Sequence, residues 1–326
     1  MKIITKAIGS GGLGTNKFIN EEILKRFGNN ILNSLRDASI INSNNKLVVS
    51  TDSFTIYPEF FPGSDIGKLA IYGTCNDITV SGGVPKYITF SVVLPDGYKW
   101  EKMEKILDSA KCAIDELGVK VVTGDTKVID GVNAPIINTT GLGELRDDLN
   151  DYTRIKVGDK IIFTSDIARH SVAVLLARGE LGFDGGIISD CCNLYEVIKD
   201  LDYKRISFCR DATRGGVAAV LNEITSKIDF GFYLDENKIP IKEDVKYFCE
   251  MVGMDPLQMA NEGVAVIIVD AKYADEALKI IKEKDNGKNA SIVGEVVNEK
   301  KVLLKTSIGG ERVIDIPSGE LLPRIC

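Results

Sequence analysis

The chain has 326 residues, of which 44% are hydrophobic and 27% charged, and its formal net charge is −7 at pH 7. This length is sufficient for two domains of ordinary size, each with its own hydrophobic core. The negative charge and the lack of a basic run argue against a nucleic-acid partner, and no apolar stretch reaches the roughly 18 residues of a membrane span.

The chain has seven cysteines, an odd number, and no two of them form a C-x-x-C pair. They predict neither a disulfide framework nor a zinc site, and such thiols are typical of a reduced cytoplasm. The adjacent Cys191 and Cys192 are either a redox pair or, more simply, two ordinary thiols. We therefore expect a cytoplasmic protein that acts without nucleic acid or a membrane.

The N-terminal region contains a glycine-rich loop at residues 8–14, followed by a helix that Thr15 caps and Gly28 ends. The loop satisfies G-x-G-x-x-G, but a Rossmann site also needs an acid at the end of the next strand, and a Walker A loop needs a lysine. Two interpretations stay open, a flexible loop that covers a phosphate with Gly11 and Gly12, or a plain turn.

Strands and helices then alternate. In the first half, apolar runs predict strands over 47–52, 87–94, 119–123 and 134–142, and apolar spacing predicts helices over 66–80 and 100–117. In the second half the corresponding strands are 160–164, 205–209, 264–269 and 302–304, and the helices are 170–178, 243–252, 271–284 and one after 211–216.

This alternation predicts an α/β or α+β fold of two domains. The polar run at 147–151 marks the boundary, which gives an N-terminal domain over 1–150 and a C-terminal domain over 151–305. Glycines and prolines after residue 306 predict a mobile tail over 306–326 that ends in Cys326. The only histidine, His170, opens a predicted helix, and we expect a capping or surface role for it.

Four aspartates stand out by position, and they are Asp52, Asp77, Asp125 and Asp211. Three of them end or directly follow an apolar strand, and carboxylates at strand ends can converge on one crevice. Carboxylates that share a site repel one another unless a cation neutralises them, and Mg²⁺ suits such oxygen ligands. The alternative is that each is a cap or turn residue.

Basic and glycine residues accompany two of these aspartates. Lys127 follows Asp125 by two residues, so the stretch 124–127 presents either a metal ligand with a phosphate-pairing cation or a solvated loop. The stretch 211–216 leads into a helix, whose N-terminal amides attract anions. Asp and Thr are also ordinary helix caps, and that reading stays open. Glu262 precedes a core strand and is a candidate base or ligand.

Several segments together resemble a known family. They are Ser-Thr-Asp-Ser-Phe (50–54), Phe-Phe-Pro-Gly-Ser-Asp-Ile-Gly-Lys-Leu-Ala (60–70), Gly-Thr-Cys-Asn-Asp (73–77), Val-Thr-Gly-Asp-Thr-Lys-Val (122–128), Cys-Arg-Asp-Ala-Thr-Arg-Gly-Gly (209–216), Asp-Pro-Leu (255–257), Ala-Asn-Glu-Gly (260–263) and the final Pro-Arg-Ile-Cys. The chain resembles, end to end, the HypE carbamoyl dehydratases of [NiFe]-hydrogenase maturation. These belong to the PurM-like superfamily of aminoimidazole ribonucleotide (AIR) synthetase.

The resemblance implies a PurM-like fold whose N-terminal domain binds ATP and forms a homodimer through its sheet. It implies that a carbamoyltransferase loads Cys326, that ATP phosphorylates the carbamoyl oxygen, and that phosphate loss leaves a thiocyanate. An iron-scaffold complex then receives the cyanide. The expected catalytic residues are Cys326, Glu262 and Lys127, and the four aspartates are expected to bind Mg²⁺. ATP contacts fall to Gly11, Gly12, Asp52, Asn76, Asp77, Gly124, Asp125, Thr126, Thr213, Arg214 and Gly215.

The chain departs from the family pattern at two places. Ile8 stands where the family's glycine-rich start has a histidine, and residues 168–171 read Ala-Arg-His-Ser instead of Gly-Asp-His-Gly. Two other functions stay open at this point. One is a different ATP-dependent synthetase of the superfamily, such as a selenophosphate or AIR synthetase, and the other is a non-enzymatic nucleotide-binding scaffold for maturation partners.

Overall fold

The computed structural model describes residues 3–4, 18–30, 32–34, 44–179 and 185–315. They divide into two compact units. Unit 1 takes the described residues up to Ile78 and Gly83–Leu145, and unit 2 takes Thr79–Gly82 and the described residues from Arg146 onward. The site candidates Gly11, Gly12 and Cys326 lie outside the described residues. The predicted mixture of helices and strands in both halves is confirmed.

Unit 1 is built on a four-stranded sheet. Its strands are β1 (Leu47–Phe54), β4 (Gly83–Pro95), β5 (Lys120–Ile129) and β6 (Ile136–Leu145), with a small hairpin of β2 (Phe60–Phe61) and β3 (Ser64–Asp65). The order across the sheet is β1-β6-β4-β5, and β4 and β5 are the parallel pair.

Two long helices belong to this half, α1 (Ile66–Val80) and α2 (Trp100–Leu117), after a short helical segment at Ile19–Leu24 and Lys25–Phe27. The predicted stripe of α2 is buried, and the helix ends at Gly118, whose φ of 66° is left-handed. Phe18 packs edge-to-face on Trp100 with ring centroids 6.0 Å apart, which holds the short helical segment against α2.

The two faces of the four-stranded sheet differ because side chains alternate along each strand. On the covered face, Phe90 of β4 is buried, and Thr139 of β6 and Asp52 of β1 stand in the same row. The next row belongs to the outer face, whose residues are exposed or half-buried; it contains Ser91 and Asn138.

Unit 2 is built on a seven-stranded sheet. Its strands are β7 (Lys160–Phe163), β8 (Ile206–Asp211), β9 (Gly231–Asp235), β10 (Ala265–Val269), β11 (Ser291–Val297), β12 (Val302–Lys305) and β13 (Glu311–Val313), in the order β13-β12-β9-β11-β7-β10-β8. Only β12 and β9 pair in parallel among these described strands. The helices are α3 (Arg169–Arg178), α4 (Leu194–Ile198), α5 (Gly216–Lys227), α6 (Glu243–Val252) and α7 (Ala274–Lys282).

Strand β10 contributes side chains to two hydrophobic clusters of unit 2. All five of its residues are buried, and they alternate between two hydrophobic clusters. Val266 and Ile268 join the cluster under α5, whereas Ile267 and Val269 join the cluster under α4 and α7. A strand buried on both faces reads as a continuous apolar run.

The structure differs from the sequence-based expectations at a few strands and at the start of the predicted tail. Within that tail, Glu311–Val313 form β13 and pair with β12, and residues 316–326 lie outside the described residues. β1 and β5 continue past Asp52 and Asp125, so these residues lie inside strands and do not end them. The sequence pattern also does not predict β11, in which a register shift at Gly294 interrupts the alternation. No helix among the described residues is long and apolar enough to cross a membrane.

Candidate active site

Asp52 and Asp77 each bond to a hydroxyl group across the contact between β1 and α1. Asp52 Oδ2 accepts a hydrogen bond from Thr74 Oγ1 at 3.3 Å, and Asp77 Oδ2 accepts one from Ser50 Oγ at 2.6 Å. Ser50 and Asp52 are two residues apart on one face of β1, a spacing of about 6.7 Å along a strand. Both carboxylates are half-buried, and the neighbouring Asn76 is buried.

Asp125 and Lys127 lie on the outer face of the same sheet. The register places Asp125 beside Ser91, in the row of Asn138 and Ser53 and not in the row of Asp52. The expectation that Asp52 and Asp125 share one crevice at strand ends is therefore wrong within this unit, because both are inside strands and face opposite sides.

The stretch 124–127 is well exposed. Lys127 Nζ is 3.3 Å from the Asp125 carboxylate, and both side chains are more than half exposed, so this pair contributes little to stability. The backbone amide of Thr126 also donates to Asp125 Oδ1 at 2.9 Å. Gly124 packs so closely on β4 that an added Cβ would lie 2.1 Å from the carbonyl oxygen of Phe90.

In unit 2, Asp211 is the last residue of β8 and leads into α5. Gly215 and Gly216 have φ values of 78° and 61°, which strain any residue with a side chain. The N-cap of α5 is Gly215, which has no side chain to cap the helix, so neither Asp211 nor Thr213 occupies the N-cap position. Thr213 is half-buried and the neighbouring arginine, Arg214, is exposed. A glycine-lined helix N-terminus is suited to an anion.

Asn261 joins this turn to the segment that carries Glu262. Its Nδ2 donates to the carbonyl oxygens of Ala212 (2.8 Å) and Met259 (3.1 Å), and its Oδ1 accepts from the amide of Ala168 at 2.7 Å. Asn261 is 1% exposed, and these bonds use most of what its amide group offers. We call residues 260–263 the Glu262 segment.

Glu262 itself is 6% exposed, and its backbone amide donates to Asp190 Oδ1 at 2.8 Å. Burial raises the pKa of Asp190 to about 6, and the guanidinium of Arg169 acts in the opposite direction. The Glu262 carboxylate thus belongs to a buried polar region next to the α5 turn, since Asn261 bonds to Ala212 in that turn.

The expectation of a surface or capping role for His170 is wrong. It is fully buried in the first turn of α3, and its Nδ1 lies 2.9 Å from Ser189 Oγ. Burial lowers its pKa to about 3, so the imidazole is neutral at physiological pH.

Two residues of this region, Asn261 and Asp190, are not among the sequence-based site candidates. Asn261 adjoins Glu262 in the sequence, and this adjacency is the signal that points to it. Asp190 is 72 residues away from Glu262, and no periodicity or spacing indicates that they are in contact. Among the described residues, no group of three or more acidic, cysteine or histidine side chains is arranged to hold a metal ion.

Comparison with known proteins gives consistent matches. Residues 35–145 match the family "AIR synthase related protein, N-terminal domain", and residues 156–305 match the corresponding C-terminal domain. Carbamoyl dehydratase HypE of Escherichia coli (strain K12) is 37% identical over 336 residues, which cover 100% of both chains. A crystal structure of hydrogenase maturation protein HypE in complex with ATP has a TM-score of 0.94 at 35% identity and covers 99% of each chain. A structure of a HypE–HypF complex has a TM-score of 0.81 at 41% identity, over 92% of this chain and 99% of that chain.

Proposed function

The chain belongs to the HypE family of carbamoyl dehydratases, which act in hydrogenase maturation, and on that premise we propose that it dehydrates an S-carbamoyl group on Cys326 with ATP as phosphoryl donor. The carbamoyl oxygen attacks the γ-phosphorus and displaces ADP, while one N–H proton leaves. Phosphate then departs with its C–O bond electrons as the nitrogen loses its second proton, which leaves S–C≡N. Phosphorylation is needed because an unactivated carbonyl oxygen is a very poor leaving group.

The observation that carries this proposal is the arrangement within unit 2. The N-terminus of α5, whose N-cap is Gly215, offers a phosphate site, and the buried Glu262 carboxylate lies on a segment bonded to the same turn. Proton removal from the amide nitrogen requires a positioned base, and phosphoryl transfer requires charge neutralisation. We assign the base to Glu262 and phosphate contacts to Thr213, Arg214 and Gly215.

We also assign ATP contacts to residues of the first half of the sequence. They comprise Asn76, Gly124 and Thr126, with Gly11 and Gly12 of the glycine-rich loop, and Lys127 as the cation that pairs with phosphate. Asp52 and Asp77 fit Mg²⁺, because they are half-buried carboxylates on adjoining elements, each with a hydroxyl partner. Mg²⁺ usually takes one or two protein carboxylates and completes its shell with phosphates and water, so two carboxylates suffice. When bound, it would neutralise phosphate charge. We also propose Asp125 and Asp211 as metal ligands; because Asp125 faces the opposite side of the sheet from Asp52, the two would not hold the same ion within one chain.

Replacing Asp125 by asparagine should weaken Mg-ATP binding about tenfold, or ~1.4 kcal/mol. The variant removes one negative charge next to Lys127 and retains the shape of an exposed side chain, so the fold should be unaffected. Isothermal titration calorimetry with Mg-ATP measures the effect. The matched control is Asp115→Asn, which removes an equally exposed carboxylate on α2. Native affinity in Asp125→Asn would remove this residue from the site.

We propose that the protein is a homodimer joined through the outer face of its four-stranded sheet. Val49, Leu142 and Tyr87 form an apolar row across three strands of that face, and Val49 is 58% exposed. Val49→Asp would place a charge in this row and should halve the mass measured by analytical ultracentrifugation. A native protein that sediments as a single chain would contradict the proposal. A carbamoyltransferase that loads Cys326, for which HypF of the HypE–HypF complex is the candidate, and an iron scaffold that receives cyanide are the other proposed partners.

Intact-protein mass spectrometry tests the function directly. The chain is incubated with the carbamoyltransferase, carbamoyl phosphate and ATP, and the C-terminal peptide should gain the mass of a cyano group in place of hydrogen. A peptide that stops at the carbamoyl mass in the presence of ATP would contradict dehydration. A protein that is only a nucleotide-binding scaffold would also give no cyano peptide. One measurement therefore separates a dehydratase from a scaffold.

A further inference from the structure

The Glu262 segment is held on both sides by side chains from other parts of unit 2. On one side, Asn261 bonds to Ala212 and Ala168. Ser171 Oγ donates to the carbonyl oxygen of Ala260 at 2.8 Å, which adds a bond from α3. A base carried by such a segment keeps its position without rearrangement, because its backbone has several fixed partners.

Asp190 holds the segment on the other side. Its Oδ1 accepts from the Glu262 amide at 2.8 Å, and it is 3% exposed. The fit around it is tight, since a Cβ at Gly263 would lie 1.9 Å from the Asp190 carbonyl oxygen and 2.6 Å from Cys192 Sγ. The side chain of Asp190 therefore bonds to Glu262, and its backbone packs against Gly263.

The charges around Asp190 are not arranged for stability. Within the described residues, neither Asp190 Oδ2 nor Arg169 Nε has a hydrogen-bond partner, although both atoms are buried. Arg169 Nη2 donates to Ser165 at 3.4 Å, and its Nε is 3.9 Å from Asp166. Buried charged groups with incomplete hydrogen bonding destabilise a fold, and such groups are concentrated at functional sites.

We propose that Asp190 is a positioning residue for dehydration, whose carboxylate anchors the Glu262 backbone and so aims the Glu262 carboxylate at the amide nitrogen of the substrate. This inference rests on the proposed role of Glu262 as the base. Asp190 does not touch the reacting atoms. Its carboxylate also accepts from the backbone amide of His170, and its contribution to the position of the base passes through the hydrogen bond to the Glu262 amide. A misplacement of about 1 Å in a catalytic group can cost about 100-fold in rate, so the loss of this bond should be measurable.

The experiment compares Asp190→Ala and Asp190→Asn in the native chain and in Glu262→Gln. Single-turnover thiocyanate formation on the carbamoylated protein is measured by quenched-flow mass spectrometry, with ATP affinity as a second readout. In the native chain, Asp190→Ala should slow dehydration by roughly 10- to 100-fold without changing ATP affinity. Asp190→Asn, which retains an acceptor oxygen at Oδ1, should recover the rate to within a few-fold.

In Glu262→Gln, Asp190→Ala should cause no further loss, because the group that it positions is already absent. An equal loss in both backgrounds would overturn the proposal, as would an Asp190→Asn variant as slow as Asp190→Ala. If Asp190→Ala does not fold, Asp190→Ser replaces it, because its hydroxyl is one bond too short to reach the Glu262 amide. Full activity in Glu262→Gln would show that Glu262 is not the base. Because this result comes from the single variant, it is distinguished from a failure of the Asp190 proposal, which needs the double variant.

Discussion

Replacing Cys326 by alanine abolishes thiocyanate formation and leaves ATP binding intact. The thiocyanate carbon must be bonded to a sulfur atom, and alanine has no atom that can accept the carbamoyl group. The residues assigned to ATP lie elsewhere in the chain, so nucleotide affinity should be unchanged. Intact-mass spectrometry measures the first effect and calorimetry with Mg-ATP the second.

The matched control is Cys112→Ala. Cys112 is exposed on α2 and has no assigned role, so its loss should affect neither measurement. This pair separates the loss of one acceptor thiol from a general effect of removing an accessible cysteine. Cyanide transfer at the native rate in Cys326→Ala would exclude the mechanism, since the carbamoyl group would then have another carrier.

Replacing Glu262 by glutamine should slow the dehydration step by about 10²- to 10⁴-fold, the usual contribution of a positioned general base. Glutamine has nearly the same volume as glutamate and retains the backbone amide that donates to Asp190, so the segment should remain in place. It cannot accept a proton at neutral pH. Carbamoyl loading of Cys326 should proceed normally, and the carbamoylated protein should accumulate in the presence of ATP.

The readout is the ratio of carbamoyl to cyano peptide over time in a single-turnover reaction. Glu276→Gln is the control. Glu276 is exposed on α7 and has no assigned function, and its replacement removes the same charge. A Glu262→Gln variant that converts the carbamoyl group at the native rate would show that another group takes the proton.

The order of the main elements could be predicted from local patterns. The stripe of α2 and the apolar run of β10 identify their elements because a helix repeats every 3.6 residues, and a strand buried on both faces is apolar throughout. The ends of β1 and β5 could not be predicted, since polar residues such as Asp52 and Asp125 interrupt the apolar run while backbone pairing with β6 and β4 continues.

The candidate site shows the same division. The glycine pair at 215–216 and the motif at 260–263 are local features, and the sequence alone indicated both, together with the family. Only the tertiary structure decided that Asp52 and Asp125 face opposite sides of a sheet, that His170 is buried, and that Asp190 bonds to Glu262. The physical reason is that backbone preferences and short motifs depend on neighbouring residues, whereas burial, pKa and contacts across 72 residues depend on how distant segments pack.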